Sequence, residues 1–232
     1  MLNIKQFRYG DNLAYLIFRK TEAMAVDGGA WQEMLSYLET NNLTLKFVTN
    51  THQHYDHTSG NDLLLKKTKS KFLDSSALAD NEEIFIGGKA VVVFRTPGHT
   101  SDSICFYTGK SLISGDTLFN ATVGNCFSGD RKSFYQSIHR LMSLPDDTKI
   151  YAGHDYVSDS LTFSRRLEPN NKEIDRFRKS YNPHHVYSTM AEEKKINPYL
   201  RFNEETIIDL LKANNLAHDT EFERWESLMS IE

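Results

Sequence analysis

The stretch Thr51-His-Gln-His-Tyr-Asp-His57 (THQHYDH) directly follows the apolar run LKFVTN and holds three of the chain's 9 histidines. Protonated imidazoles packed this closely would repel one another, so the pattern indicates neutral rings that share a cation. Neutral imidazole and carboxylate are common protein ligands of divalent metals. A histidine-rich loop without metal is the less favoured alternative. The stretch therefore predicts a metal centre.

The spacing within this stretch points to two metal positions. Extended backbone places residues i and i+2 on one side, so His52 and His54 can face the same metal. Asp56 and His57 are adjacent and cannot share a face in a strand. A helix beginning at about Thr58 would let these two side chains swing towards a second metal beside the first.

Composition and charge restrict the class of protein. The 232 residues are 39% hydrophobic and 25% charged, which is typical of a globular protein, and the net charge of -4 argues against a general nucleic-acid binder. The N-terminal MLNIKQFRYGDN is too polar for a signal peptide, and no apolar run approaches the roughly 18 residues of a membrane helix. Cys105 and Cys126 form no C-x-x-C and are interpreted as reduced thiols. We expect a cytoplasmic protein without nucleic-acid or membrane partners; the oligomeric state stays open.

Short β-rich runs recur through the first two-thirds of the chain, with helical patterns between them. The helical patterns are WQEMLSYLETNN (31–42), GNDLLLKKT (60–68) and RKSFYQSIHRLMSL (131–144). This mixture predicts an α/β fold with two sheets and helices outside them. The predicted strands are LAYLIF (13–18), AMAVDG (23–28), LKFVTN (45–50), KAVVVFRT (89–96), SICFYT (103–108), SLISGD (111–116) and TKIYAG (148–153).

After RRLEPNN the chain changes character, and from about Asn171 it is highly charged with no convincing strand. Thr189 followed by Glu192 is a capping-box pattern, and Pro198 should end or kink that helix near Asn197. Residues 204–215 and 220–229 have the pattern of two further amphipathic helices. We therefore expect a catalytic domain at 1–168 and a small helical C-terminal domain at 169–232.

Three further candidate ligands follow predicted strands in the same way. His99 lies in TPGHTSD, Asp116 in ISGDTLF and His154 in YAGHDY, each directly after a glycine at a strand end. One such residue would be weak support, because a polar residue after a strand is usually part of a loop. Three recurrences after H-x-H-x-D-H make a shared site the better interpretation. The remaining histidines are not expected to be ligands: His139, His184, His185 and His218.

Together these motifs resemble the metallo-β-lactamase superfamily, and more narrowly the glyoxalase II (hydroxyacylglutathione hydrolase) family. EPNN after the last histidine and YSTMAEEKKINPYLRF in the helical tail are similar to segments of that family. The resemblance implies an αββα sandwich of the metallo-β-lactamase type with a small C-terminal helical domain. It implies two divalent ions, with zinc favoured and iron or manganese also suited. The implied ligands are His52, His54 and His99 for one ion, Asp56, His57 and His154 for the other, and Asp116 as the bridge.

The resemblance also implies a reaction. A hydroxide held between the two ions would attack the thioester of S-D-lactoylglutathione or of a related thiol carrier, which is methylglyoxal detoxification in that family. Asp56 would orient the hydroxide and is the candidate catalytic residue. The thiolate leaves readily because an ordinary thiol has a pKa of about 8.5. No Ser or Cys is placed beside a base, so a covalent intermediate is not expected.

The substrate-binding positions depart from the family pattern. Asn125 stands where that family has Lys and Phe127 where it has Tyr, while Tyr156 matches the family's tyrosine. Met229 and Glu232 stand roughly where the family has a C-terminal basic pair. Loss of these cations leaves a carrier carboxylate without its partner, unless Lys132 or Arg224 compensates.

Two other classes of function compete with thioester hydrolysis. The first is another activity of the superfamily: persulfide dioxygenase, lactonase, β-lactamase or phosphodiesterase. A dioxygenase needs one redox-active iron, whereas the second set of ligands favours two metals. The other class is a non-catalytic, metal-stabilised binding module, which is less favoured because no ligand is missing.

Overall fold

Two mixed β-sheets form the centre of the fold in the computed structural model, which describes residues 1–231; Glu232 lies outside the described residues. The first sheet has the strand order β1-β2-β3-β4-β5 and the second β11-β10-β9-β8-β7-β6. The parallel pairs are β3–β4, β4–β5 and β9–β10. The strands are β1 Asn3–Tyr9, β2 Asn12–Arg19, β3 Glu22–Val26, β4 Thr44–Thr49, β5 Lys71–Phe72, β6 Glu83–Ile86, β7 Lys89–Arg95, β8 Ile104–Tyr107, β9 Ser111–Gly115, β10 Lys149–Ala152 and β11 Ser188–Thr189.

All seven predicted strands are present, as β2, β3, β4, β7, β8, β9 and β10. The sequence did not predict β1, a sheet-edge strand in which only Phe7 is fully buried, so its apolar pattern is weak. The prediction that no strand follows Asn171 is wrong, because the two-residue strand β11 pairs with β10 at the sheet edge. A strand this short carries no periodicity that a sequence could show.

The helices agree with the sequence where their apolar spacing is regular. The capping box of Thr189 and Glu192 is present, and the helix it starts ends at Ile196, before Pro198. The short helix at the end of the histidine motif begins at Tyr55, within the motif and earlier than the expected Thr58. No helix within residues 1–231 is both long and apolar enough to span a bilayer. The helices are α1 Trp31–Thr40, α2 Tyr55–Thr58, α3 Asn61–Thr68, α4 Arg131–Met142, α5 Val157–Leu167, α6 Lys172–Ser180, α7 Met190–Ile196, α8 Glu205–Ala213 and α9 Glu221–Met229.

The main core lies between the two sheets. Alternate residues of β2, such as Leu13 and Tyr15, face residues of the second sheet such as Val93 and Phe106 in one buried cluster. The intervening residues of β2 point the other way and pack against α1 in a separate cluster that includes Met34. This period-two alternation lets one sheet bury both faces, which gives the predicted αββα layering.

The C-terminal helices pack on the outer face of the second sheet through a third cluster. Phe134 of α4 and Trp225 of α9 meet edge to face, with ring centroids 5.4 Å apart. Ile207 of α8 is buried in the same cluster, as are Leu112 of β9 and Ile150 of β10. Residues on both sides of position 168 therefore share one core.

Because of this shared core, we expect Trp225→Ala to destabilise the whole chain rather than the tail alone. Removing a fully buried Trp costs about 3–5 kcal/mol, and the substitution should lower the free energy of unfolding in one cooperative transition. Urea denaturation followed by fluorescence and circular dichroism measures this. The control Phe85→Ala, at a ring that is 57% exposed, should change stability by no more than about 0.5 kcal/mol. Two separated transitions would contradict the shared core.

Candidate metal centre

All seven predicted ligands meet at one edge of the sandwich, where several strands end. The loop after β4 supplies two of them, and α2 supplies the next two. The remaining three follow the ends of β7, β9 and β10. Every one except His54 and Asp56 is buried. In chain order they are His52, His54, Asp56, His57, His99, Asp116 and His154.

The first group contains three imidazoles whose nitrogens converge. His52 Nε2 lies 2.9 Å from His54 Nδ1, and His99 Nε2 lies 3.1 Å from that same His54 atom. The candidate ligand atoms of this group all lie within 4.8 Å of one another. The spacing agrees with the expectation that His52, His54 and His99 face one ion.

The second group contains His57, His154 and Asp56. Nε2 of His57 and Nε2 of His154 are 3.3 Å apart, and Oδ2 of Asp56 lies 3.4 Å from the latter. Asp116 lies between the two groups, because its Oδ2 is 3.5 Å from His99 Nε2 and 3.4 Å from His154 Nε2. Its Oδ1 is 3.4 Å from His57 Nε2. One carboxylate therefore reaches both groups, as a bridging ligand must.

Hydrogen bonds on the outer side of the rings fix which nitrogen faces the centre. His99 Nδ1 lies 2.9 Å from the Asn125 carbonyl oxygen and His57 Nδ1 lies 3.0 Å from an oxygen of Asp27. Both oxygens can only accept, so Nδ1 carries the proton in each ring. The Nε2 lone pairs are thereby left pointing inward, which is the arrangement that metal-binding histidines use.

The donor set fits a pair of cations. Asp116 Oδ1, which faces His57 Nε2 in the centre, is buried without a hydrogen-bond partner. Inward-facing lone pairs and buried carboxylate oxygens repel one another, and a buried carboxylate oxygen without a partner is costly. Divalent ions with nitrogen and oxygen ligands would satisfy these atoms together.

Protonation within the site follows from burial and from the neighbouring carboxylates. Burial, reinforced by the charge of His57, lowers the pKa of His52 to about 3, and burial also lowers the pKa of His99. Burial would lower the pKa of His57 too, but Asp27 and Asp116 outweigh it and raise that pKa well above its usual value. The carboxylates therefore make this side of the site attractive to any cation, a metal ion as well as a proton.

Glycine precedes Asp116 and His154 because there is no room for a larger residue. A Cβ on Gly153 would lie 2.1 Å from Asp116 Oδ1 and 2.9 Å from His57 Cε1. Gly115 has a φ of +50° and a Cβ there would lie 2.5 Å from the Thr51 side chain. In the sequence, a glycine stands between strand and ligand because the backbone there lies close to the ligand cluster.

The sequence analysis missed Asp27, which organises one side of the site. It is fully buried, with a left-handed φ of 60° at the end of β3. Its oxygens accept from the backbone N–H of Thr51 at 2.8 Å, from the Thr51 hydroxyl at 2.9 Å and from His57 Nδ1. Its signal was an acid directly after a strand, in AVDGG, although here glycine follows the acid instead of preceding it as it does at Asp116. Asn12, also missed, donates to Asp56 Oδ2 at 2.9 Å.

The three predicted substrate-binding residues lie beside the centre in two places. Asn125 and Tyr156 line a cavity of about 270 Å³. Tyr156 stacks on His154, with ring centroids 4.8 Å apart. Phe127 is instead 67% exposed, and its ring packs against His54 and His99 at 5.6 and 5.2 Å. Its ring therefore flanks the first group of ligands.

Comparisons with known proteins give the family. The profile of the metallo-beta-lactamase superfamily matches residues 8–71 and 76–154, and that of the hydroxyacylglutathione hydrolase C-terminus matches 155–229. A hydroxyacylglutathione hydrolase of Chromohalobacter salexigens is 34% identical, covering 91% of each chain. One of Pseudoalteromonas translucida is 32% identical over 100% of this chain and 97% of its own. The chain belongs to the hydroxyacylglutathione hydrolase family.

Solved structures share the fold of this hydroxyacylglutathione hydrolase family member. ETHE1 from Myxococcus xanthus is 25% identical with a TM-score of 0.69, covering 97% of this chain and 99% of its own. A metallo-beta-lactamase from Staphylococcus aureus is 24% identical with a TM-score of 0.70, covering 100% of this chain and 71% of its own. The αββα fold expected from the sequence is confirmed.

The Asp27 contacts lead to a prediction about metal affinity. Asp27→Asn keeps the shape of the side chain but removes the charge that holds His57, so affinity for the ion bound by His57 should fall about 10- to 100-fold. Competition with a chromophoric chelator measures the affinity. The control Asp62→Asn, at an exposed position of α3, should leave it unchanged. Equal affinities in the two variants would contradict the role assigned to Asp27.

Proposed function

We propose that this chain is a dinuclear metal-dependent thioester hydrolase acting on S-D-lactoylglutathione or on the thioester of a related thiol carrier. The observation that carries the proposal is the position of Asp116, whose carboxylate reaches both groups of ligands at 3.4–3.5 Å. Family membership supports the same reaction, because the curated relatives are named hydroxyacylglutathione hydrolases. The substrate is a small molecule.

The residues divide between the two ions as the sequence resemblance implies. Two divalent ions bound there, with zinc favoured and iron or manganese also suited, would polarise a carbonyl and lower the pKa of bound water to about 7. His57 and His99 keep their Nε2 atoms aimed at the centre through Asp27 and the Asn125 carbonyl. The proposed ligands are His52, His54 and His99 for one ion, Asp56, His57 and His154 for the other, and Asp116 for both.

Asp56 is the proposed catalytic residue. Its side chain is 46% exposed, unlike that of Asp116, so it can meet both an incoming water and the substrate. The Asn12 amide donates to its Oδ2 and fixes the orientation of the carboxylate. The remaining acceptor capacity of the carboxylate can hold the proton of the attacking water and aim its lone pair at the thioester carbonyl.

Direct attack by water agrees with the thiols of this chain. Burial raises the pKa of Cys105 to about 11, and its Sγ contacts the Thr96 hydroxyl, so it stays protonated. Cys126 Sγ lies near the Ser128 hydroxyl, which is not a base. Neither thiol is an activated nucleophile. The carrier thiolate can leave with little acid assistance, because a thiol has a pKa of about 8.5.

The cavity beside His154 is the proposed site of the thiol carrier. Asn125 contributes a neutral amide and Asp159 a carboxylate to its lining. Arg224 donates instead to Asn203 at 2.7 and 3.1 Å, so its guanidinium is engaged elsewhere. A carrier carboxylate in this cavity would lack a cationic partner. Carboxylates of glutathione should therefore contribute little to binding. The remaining lining residues are Phe119, Thr122, Val123, Tyr156, Ser160 and Phe163.

We also propose the division of labour expected from the sequence, with a catalytic domain at 1–168 and a helical substrate-binding domain at 169–232. It is supported by the ligands, all of which precede position 168. It is also supported by contacts of the helical segment with the cavity wall, since Asn197 Nδ2 donates to the Thr122 carbonyl at 3.0 Å. The helical segment thus packs against the loop that carries Thr122, one of the residues that line the cavity.

Metal removal and a bridging-ligand variant test the reaction. Enzyme dialysed against a chelator should lose hydrolysis of S-D-lactoylglutathione and regain it with Zn²⁺, Mn²⁺ or Fe²⁺. Asp116→Asn should lower kcat/KM by more than about 100-fold, while Asp147→Asn, at an exposed surface pair, should retain full activity. A fully active Asp116→Asn would refute the proposed centre. One iron per chain with oxygen consumption on a persulfide would point to a dioxygenase instead.

A panel of D-lactoyl thioesters tests the carrier site. Asn125→Lys should raise kcat/KM for S-D-lactoylglutathione about tenfold through a lower KM, because it supplies a charge-assisted hydrogen bond to a carboxylate. The N-acetylcysteamine thioester, which has no carboxylate, is the matched control and should be hydrolysed equally by both enzymes. An equal change for the two substrates would contradict the assignment.

A further inference from the structure

The loop at residues 117–124 connects two groups in the centre, Asp116 and the Asn125 carbonyl that bonds to His99. It begins after Asp116 and leads to Asn125, whose carbonyl holds the Nδ1–H of His99. Gly124 lies against the Asp116 backbone, where a Cβ would meet the Asp116 carbonyl oxygen at 2.0 Å. A shift of this loop therefore moves both the bridging carboxylate and the orientation of one imidazole.

A carboxylate from the C-terminal segment holds the middle of this loop. Both oxygens of Glu193, in α7, accept from the Ala121 backbone N–H, at 3.0 and 3.1 Å. Ala121 has a φ of 73°, a conformation that an alanine keeps only when its surroundings impose it. Asn197 Nδ2 donates to Glu193 at 2.8 Å and to the Thr122 carbonyl at 3.0 Å.

The Glu193 carboxylate is completely buried and is surrounded by donors. The Ala121 N–H and the Asn197 amide donate to it, and the nearby Ser188 hydroxyl lowers its pKa. The Ser188 oxygen in turn accepts from Asn120 Nδ2 at 2.7 Å, which ties down the residue before Ala121. These donors favour the ionised carboxylate, because protonation turns one oxygen into a donor and reduces the acceptor capacity of the group.

We propose that Glu193 is a positioning residue for the metal centre, and that its carboxylate fixes the 117–124 loop and through it Asp116 and His99. The assignment of a role in catalysis depends on the proposed thioester hydrolysis. The conclusion that Glu193 holds the loop depends only on the hydrogen bonds. Glu193 touches no substrate and no ligand, so it acts only through the loop backbone.

Titration of Glu193 makes the hold on the loop depend on pH, which can be measured. Burial, which outweighs the hydrogen bonds, raises the pKa of Glu193 from 4.5 to about 7, and Glu192 adds to the rise. Above that pH the group is a carboxylate and accepts from the Ala121 N–H and the Asn197 amide with both oxygens. As the pH falls through about 7 it gains a proton, one oxygen becomes a donor that faces other donors, and the hydrogen bonds to the loop weaken. The hold on the loop is therefore present at higher pH and lost on acidification.

Other charged groups around Glu193 have partners of their own. Glu192 accepts from Thr189 in the capping box. On the remaining elements packed there, Glu168 pairs with Arg201, Lys194 with Asp146, Asp116 with the site histidines, and the Lys149 ammonium lies over the Tyr187 ring.

Hydrogen exchange of the metal-loaded enzyme tests the proposal. Exchange of peptides covering 117–125 is compared from about pH 5.5 to about pH 8.5, corrected for intrinsic rates and with metal content measured at each pH. Wild type should lose protection through about pH 7. Glu193→Gln, which places an amide donor among the donors, should exchange about 10- to 100-fold faster at high pH and show no such midpoint. Glu192→Gln keeps a capping box and should retain the protection and its midpoint, which moves slightly to lower pH because the Glu192 charge no longer adds to the rise.

Two outcomes would overturn the proposal: wild-type protection with an unchanged midpoint in Glu193→Gln, or loss of the midpoint in Glu192→Gln as well. If Glu193→Gln fails to fold, Ser188→Ala decides. Removing one donor should move the wild-type midpoint to higher pH, and an unmoved midpoint refutes the role of the carboxylate. Absence of thioester hydrolysis in wild type would refute the proposed function and leave the exchange result intact.

Discussion

The structure depends on the burial of many imidazole nitrogens and carboxylate oxygens, all with lone pairs, at one edge of the sandwich. His52 Nε2 and His99 Nε2 each lie about 3 Å from His54 Nδ1. Buried carboxylate oxygens face the same space, and Asp116 Oδ1 has no hydrogen-bond partner. Such a cluster is unstable unless positive charge is shared among its members. The loops, glycines and outer hydrogen bonds of this edge all serve to hold the cluster in place.

Hydrogen bonds support the candidate ligands in successive layers. Asp27 fixes His57 and the Thr51 backbone, while the Asn125 carbonyl fixes His99. The loop that carries Asn125 is held by Glu193 from the C-terminal segment. The helical segment thus helps to hold the loop that links Asp116 to Asn125. This continuity gives a physical reason for a shared core on both sides of position 168.

The reaction chemistry and the choice of carrier rest on different parts of the molecule. The ligand cluster is complete, and it suits attack of water on an activated carbonyl. The cavity beside it carries Asn125 and Asp159, and its lining supplies no cation among the described residues. Hydrolysis and carrier recognition can therefore diverge independently, because one depends on buried ligands and the other on side chains that line an open cavity.

The sequence by itself predicted the seven candidate ligands that the structure brings together, the strand-then-glycine placement and the αββα class, because these depend on local spacing and on a strict two-residue alternation. The sequence did not predict the edge strands β1 and β11, since they carry little apolar periodicity. Only the tertiary structure revealed Asp27 and Glu193. Each acts on residues more than twenty positions away, through hydrogen bonds that exist only once the sheets and the C-terminal helices have packed.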